Sequence, residues 1–341
     1  MRAAVYYNNK DVRLEEMPVP KIGPGEILVK IIASGICGSD VMEWYRIRKA
    51  PLVLGHEIAG EIVEAGEGVK KFKAGDRVTV AHHVPCNTCR YCLNGDYSTC
   101  DTLRSTNFYP GGFCEYVRVP AINVDRGTFV LPEGLSYEEG SFAEPLACVY
   151  RGQRLVGLRP GASVFVIGSG LAGLLHIQLA SALGAARVIA TDVNDYRLKA
   201  ARRLGADAVF KADEKTPERL REANGGHPAD IVILCTAALP AFRNAFQSVD
   251  RGGTILFFAP TEPGVEIPLP LWDLWRDGVT MKNSYAGPPG DTATALSLLG
   301  SGRVKVKEMI THRLCLAETG LGFRLVAEAG ESIKVVIEPQ R

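Results

Sequence analysis

Two groups of residues in this chain have types and spacings that could do chemistry. Cys86, Cys89, Cys92 and Cys100 crowd into one stretch, PCNTCRYCLNGDYSTC. Four thiols so spaced can reach one tetrahedral ion, and Zn²⁺ held by four thiolates is a closed site that orders a loop without catalysing a reaction. An iron–sulfur cluster or unligated thiols are the other uses of such a set. The second group is dispersed: Cys37 in GICGSD, His56 and Glu57 in GHE, and Glu144 in AEPLAC. Singly, each has an ordinary explanation as a small buried hydrophobe, a core histidine or a carboxylate at a helix start. Together they offer one sulfur, one nitrogen and one or two oxygens, the mixture that a catalytic Zn²⁺ with an open position requires. Gly35, Gly38 and Gly55 beside them would let backbone approach such an ion.

A third pattern implies a bound dinucleotide. Within SVFVIGSGLAGLLHIQLASALGAARVIATD, the apolar run Val164 to Ile167 reads as a buried strand, and Gly168, Gly170 and Gly173 open a helix ending near Gly184. A second strand, Arg187 to Thr191, then leads to Asp192, about 20 residues past the last glycine. In such a site Gly168 permits the tight turn, Gly170 lets backbone approach a pyrophosphate, and Gly173 lets the helix pack on the strand. The helix N-terminus supplies unpaired N–H groups and partial positive charge. Asp192 would accept from the ribose hydroxyls and repel a 2′-phosphate, which favours NAD over NADP.

The elements that must position these groups divide the chain into two grammars. Short strands with Gly and Pro turns run from AAVYY through VRLEEMPVP, EILVKIIAS, LVLGHEIAGEIVEAG and RVTVAHH, and again at GGFCEYVRVP and TFVLP. That spacing suggests an antiparallel, barrel-like domain. Asp40 is placed to cap the segment VMEWYRIRK. Residues 85–110 read as a loop that needs a staple, which the four cysteines supply. Leu135 to Leu158 reads as helical, with Pro145 in an acceptable first turn. From Ser163 strands and helices alternate to give six strands, an α/β doubly wound parallel sheet. After Pro288-Pro289 come a helix, strand MITHRLCL, a further helix and strand SIKVVIEP.

Composition narrows the class. Lys+Arg 39 against Asp+Glu 38 gives a net charge of +1, so nothing electrostatic points to nucleic acid or an anionic membrane. The N-terminus lacks a signal-peptide core, and the long uncharged run from Ser163 is broken by glycines, Ser169, His176 and Gln178, which suits a buried strand and helix better than a membrane span. Nine cysteines, four of them clustered, suit a metal better than a disulfide framework. A soluble protein of a reducing, cytoplasmic compartment is therefore expected.

These motifs occur in a recognisable order: GICGSD at 35–40, LGHEIAGEIVEAG at 54–66, AGDRV at 74–78, the cysteine lobe, EPLAC at 144–148, and VIGSGLAG followed by Thr191 and Asp192. On them the chain resembles the zinc-dependent medium-chain dehydrogenases over its whole length, nearest the sorbitol (polyol) and L-threonine dehydrogenase branch. The resemblance implies a GroES-like β-rich catalytic domain over 1–149 carrying a structural zinc lobe at 85–110. It further implies a Rossmann NAD-binding domain over 150–288, and a stretch, 289–341, that completes the catalytic domain. It implies a catalytic zinc on Cys37 and His56 with Glu57 or Glu144 as third ligand, and a structural zinc on Cys86, Cys89, Cys92 and Cys100. Ser39 then stands in the proton relay, and Arg197 packs on the adenine beside the Gly168, Gly170, Gly173 and Asp192 positions. The implied reaction is reversible oxidation of a secondary alcohol (polyol, sugar or amino alcohol) to a ketone with hydride transfer to NAD, in a homodimer or homotetramer. Cys37 and His56 stand slightly closer than is usual in the family, and WYRIRKA replaces a loop that lines the substrate entrance in relatives. The competing readings are a zinc-independent reductase on the same scaffold and a non-catalytic, NAD(H)-binding redox-sensing module.

Overall fold

The computed structural model describes residues 1–341, which fall into two compact units: Met1–Ala147 with Ala286–Arg341, and Cys148–Tyr285. In the first unit the N-terminal part supplies β1 (Arg2–Asn8), β2 (Asp11–Glu16), β3 (Ile27–Gly35), β4 (Leu52–Val53), β5 (Glu57–Ala65), β6 (Arg77–Val80), β7 (Tyr116–Val119) and β8 (Thr128–Val130). β3 is rich in Ile and Val and buried along nearly its whole length, which marks it as central. It pairs antiparallel with β5 from Ile27↔Ala65 to Gly35↔Glu57, and β7 pairs with its first half.

The second unit holds β9 (Ser163–Ile167), β10 (Arg187–Asp192), β11 (Ala208–Lys211), β12 (Ala229–Leu234), β13 (Val249–Phe257) and β14 (Thr280–Asn283). All are parallel, in the order β11-β10-β9-β12-β13-β14. Counted from β9 that is 3-2-1-4-5-6, the doubly wound dinucleotide-binding order. Every residue of β9 is buried, so its sequence is a continuous apolar run rather than an alternation, as expected of a strand covered on both faces.

The chain then returns to the first unit with β15 (Ile310–Cys315) and β16 (Lys334–Glu338). β16 runs antiparallel to β3 through Val336↔Gly35 and Ile337↔Ser34, and β15 lies parallel to β16. Between them helix Thr319–Glu328 seats Phe323 against Tyr6 and Phe113, with ring centroids 5.7 and 5.8 Å away. Phe323, Val335 and Ile337 thus share one core with Ala3, Ile31 and Val117.

The structure differs from the sequence reading in several elements. Asp40 does not cap the following helix: it is the third residue of a 3-10 turn, Gly38–Asp40, and helix Glu43–Arg46 begins at Met42 with no side-chain cap. The cysteine-rich loop contains short helices at Arg90–Leu93 and Asp101–Ser105, and another helix, Ala121–Gly127, separates β7 from β8. Leu135 to Leu158 is two helices, Tyr137–Gly140 and Ala143–Leu155. Helix Leu271–Arg276 was not foreseen, because six residues are too few to display a helical period. No helix is long and apolar enough to cross a membrane.

Candidate active site

The register of β3 against β5 brings together three of the four dispersed residues. Gly35 at the end of β3 faces Glu57 at the start of β5, so Cys37, two residues beyond the strand, meets His56, one residue before β5. One donor atom each from Cys37, His56 and Glu57 lies within 4.8 Å of the others, a spacing that could hold one metal ion. Glu144 stands in the first turn of helix Ala143–Leu155 and is not part of this trio.

Asp40 orients two of the three. Its Oδ2 accepts from Cys37 N at 3.1 Å, and its Oδ1 lies 3.3 Å from His56 Nδ1, leaving Nε2 as the nitrogen for a metal. The contact is electrostatic, since Asp40 Oδ1 has no hydrogen-bond partner. Burial acts against ionisation of Asp40, but His56, Arg46 and the Cys37 N–H outweigh it and lower its pKa. Burial also opposes charge on His56, yet Asp40 and Cys37 hold its pKa well above the ordinary imidazole range. Ser39 N and Ser39 Oγ each donate to Cys37 Sγ at 3.4 Å, and Arg46 Nη2 donates to Ser39 Oγ at 3.0 Å. The His82 ring lies 4.8 Å from His56, and burial, then His83, His56 and Arg46, push its pKa well down, so it is neutral at pH 7.

Lys334 reaches the trio from β16. It is fully buried, donates to Glu57 Oε2 and, at 3.2 Å, to Ile36 O, and lies 5.6 Å from the Phe142 ring centre. Gly35 makes this possible: a Cβ there would stand 2.3 Å from Glu57 Oε2 and 2.5 Å from Lys334 Cε. Glu57 Oε1, equally buried, has no hydrogen-bond partner, as suits an oxygen facing a metal. Sequence reading missed Lys334, Arg46 and His82 and gave Asp40 another task. A lysine between Ile333 and Val335, at the head of the buried run KVVI, was the available signal for Lys334.

In the lobe, none of the four cysteines is in a disulfide. The Sγ separations are 3.5 Å for Cys89 to Cys92, 3.7 Å for Cys100 to Cys86 and 3.9 Å for Cys86 to Cys92. A tetrahedral Zn²⁺ with bonds of about 2.3 Å puts its sulfurs about 3.8 Å apart, so the residues fit the ion. Thr88 and the Thr88 and Cys89 N–H groups pull the Cys86 thiol down to about 5. Asn87 takes φ 64° in this knuckle, and Arg126 Nη1 clips the loop through Pro85 O and Cys86 O at 2.9 and 2.7 Å.

In the second unit Gly168 has φ 94° and Gly170 is the cap of helix Leu171–Ala182. A Cβ on Gly173 would lie 1.9 Å from Gly168 O, so the helix could not pack on the strand with any other residue. Asp192 is buried and already ties the turn: Oδ2 accepts from Ser169 N at 2.6 Å and Oδ1 from Asn194 N at 2.9 Å. Each oxygen retains a lone pair for a further donor. Arg197 Nη1 sits 3.8 Å from where a Gly170 Cβ would be, and its buried Nε has no partner.

Residues 23–126 match the family model of the alcohol dehydrogenase GroES-like domain, and residues 172–301 that of the zinc-binding dehydrogenases. Sorbitol dehydrogenase of Gallus gallus is 31% identical, the match covering 98% of this chain and 96% of the relative. L-threonine 3-dehydrogenase of Bacillus licheniformis is 35% identical, over 95% of this chain and 94% of the relative. The solved structure of alcohol dehydrogenase TADH from Thermus sp. ATN1 superposes with TM-score 0.87 at 31% identity, covering 99% of both chains.

This chain belongs to the zinc-binding medium-chain dehydrogenase/reductase family. Its fold is accordingly a GroES-like domain with a Rossmann-like nucleotide-binding sheet, and the family's chemistry is NAD(P)-linked oxidoreduction. The relatives named for sorbitol, threonine and alcohol stand at comparable identity, so no branch of the dehydrogenase family is singled out.

In this dehydrogenase, Lys334→Met strands a buried carboxylate and should lower stability by about 3–5 kcal/mol, read from the denaturant midpoint. The double variant Glu57→Gln/Lys334→Met should recover most of that loss. A Lys334→Met protein as stable as wild type would show that the pair holds nothing.

Proposed function

We propose that this protein reversibly oxidises a secondary alcohol of the polyol, sugar or amino-alcohol class to a ketone, with NAD as hydride acceptor, as do members of the sorbitol and L-threonine branch. The observation that carries the reading is the convergence of Cys37, His56 and Glu57, with Glu57 Oε1 buried and unpartnered beside them. Cys37 and His56 would hold the catalytic zinc, and the geometry favours Glu57 over Glu144 as the third ligand. Cys86, Cys89, Cys92 and Cys100 would hold a structural zinc that keeps the lobe folded.

A zinc ion at the trio would supply Lewis acidity to the substrate hydroxyl. The chain's own residues do the rest. Asp40 faces His56 Nδ1 and leaves Nε2 for the ion, Lys334 takes one oxygen of Glu57 and leaves the other open, and Ser39 Oγ would offer a hydrogen bond to the reacting oxygen. The backbone N–H groups around Gly168, Gly170 and Gly173 would receive the pyrophosphate of NAD, Asp192 would accept from its ribose hydroxyls, and Arg197 would pack on its adenine.

NAD⁺ reduction by the purified protein over sorbitol, 2,3-butanediol, glucose and L-threonine should show turnover on one class that metal chelation abolishes. Cys37→Ser should lose that turnover while still binding NAD. Wild-type kcat in Cys37→Ser would remove the catalytic-zinc assignment, and NAD binding without turnover on any alcohol would favour a non-catalytic module.

Cofactor choice has its own test. Asp192→Gly should lower the NAD to NADP ratio in kcat/KM at least about tenfold, equivalent to roughly 1.4 kcal/mol. It should also weaken both cofactors, because Ser169 N loses its acceptor. An unchanged ratio would sink the carboxylate argument.

A homo-oligomer is supported by the free edge of the second unit's sheet. β14 is the terminal strand and exposed throughout, and Trp272 and Trp275, in helix Leu271–Arg276 just before it in the chain, are 65% and 71% exposed. A second copy pairing there would cover both. Sedimentation should give a multiple of 36.8 kDa, and Trp272→Asp/Trp275→Asp should reduce it; a wild-type monomer would end this proposal.

A further inference from the structure

We infer that Arg46 is a positioning residue for the reaction: bonded to Ser39 Oγ, its guanidinium fixes that hydroxyl as a donor toward the reacting oxygen. This rests on the alcohol-oxidation reading given above. Arg46 lies in the segment WYRIRKA, its side chain is only 16% exposed, and it stacks 4.7 Å from the Tyr45 ring centre. It grips one residue with two nitrogens: Nε donates to Ser39 O at 2.9 Å and Nη2 to Ser39 Oγ at 3.0 Å. Nη2 also lies 3.5 Å from Asp40 Oδ1.

A guanidinium has donors and no acceptor, and it keeps its charge at every working pH. Ser39 Oγ is therefore the acceptor in that bond, and its single hydrogen must point elsewhere. At present that hydrogen is directed at Cys37 Sγ across 3.4 Å, a long contact to a sulfur. An oxygen gaining negative charge beside the donor trio is a far better acceptor, and turning to it leaves the Arg46 bond intact. Without Arg46 the hydroxyl rotates freely and its lone pairs compete for the substrate's own hydrogen. Lysine cannot replace the fork, since one ammonium cannot reproduce the rigid two-nitrogen geometry.

Arg46 also touches Asp40, which faces His56, so a purely structural role would act through the metal ligands. A double-mutant cycle of Arg46→Met and Ser39→Ala separates the two. If Arg46 acts through Ser39, Arg46→Met lowers kcat about 10- to 100-fold in the wild-type background and under about 3-fold in Ser39→Ala. Zinc content and KM for NAD stay unchanged, and Arg46→Lys restores little. A second readout needs no turnover. With Co²⁺ at the site, taken as the difference against Cys37→Ser, Arg46→Met should shift the thiolate-to-cobalt band, and should not shift it when Ser39 is already Ala. Additive costs in the cycle, an unmoved band or loss of zinc from Arg46→Met would each overturn the inference. Should Arg46→Met not fold, Arg46→Lys runs the same cycle. Absence of turnover in the wild type would count against the proposed reaction, and the cobalt arm would still decide the role of Arg46.

Discussion

The buried ion pair of Lys334 and Glu57, laid across Gly35, is the constraint on which the first unit depends. Two full charges removed from water require near-ideal pairing and further hydrogen bonds to be tolerated at all. Here the ammonium also meets Ile36 O and the face of Phe142. The pair joins β5 to β16 over the middle strand β3, and it works only because Gly35 has no side chain to fill the gap. One residue near the C-terminus thus fixes which oxygen of Glu57 remains open toward Cys37 and His56. The strand that completes the sheet therefore also sets the geometry of the donor trio.

Around that pair the charges are arranged as a relay of orientations. Asp40 holds Cys37 by its backbone and His56 by its ring, and Arg46 balances Asp40 while gripping Ser39. Asp40 and His56 are nearly or fully removed from water, and Cys37, Ser39 and Arg46 are half-buried, so contacts at the centre are stronger and costlier to break than on a surface. The neutral His82 ring beside His56 adds bulk without adding charge. The lobe solves its problem differently. Its apolar centre amounts to little more than Cys92, Cys100 and Leu103, too little to order the segment by burial, and its four thiols stand at sulfur–sulfur distances that match one tetrahedral ion.

In the second unit the limiting constraint is space rather than charge. Gly173 touches Gly168 O so closely that any larger residue would push the helix off its strand, and Gly168 occupies a backbone region that other residues avoid. Asp192 serves this turn twice: it accepts from Ser169 N to hold the loop and keeps lone pairs for a ligand.

Much of this was legible in the sequence, where the information is local. The glycine turn, the six alternating strands and the clustered thiols are short-range patterns, and a few consecutive residues specify each of them. The dispersed trio was legible only as a set of chemically matched residues, and Glu57 and Glu144 stayed equivalent because spacing along a chain does not fix which carboxylate faces a thiol. Asp40 was misassigned as a helix cap because its true partners, Arg46 and His56, depend on how the turn after β3 folds back. Lys334 lies 277 residues from Glu57, and nothing short of the β16–β3–β5 register brings them together. The sequence by itself determined the two patterns of strands and helices, the residue types able to hold a metal and the family; the tertiary structure alone decided which charges meet, because strand pairing joins residues whose separation along the chain carries no signal of their contact.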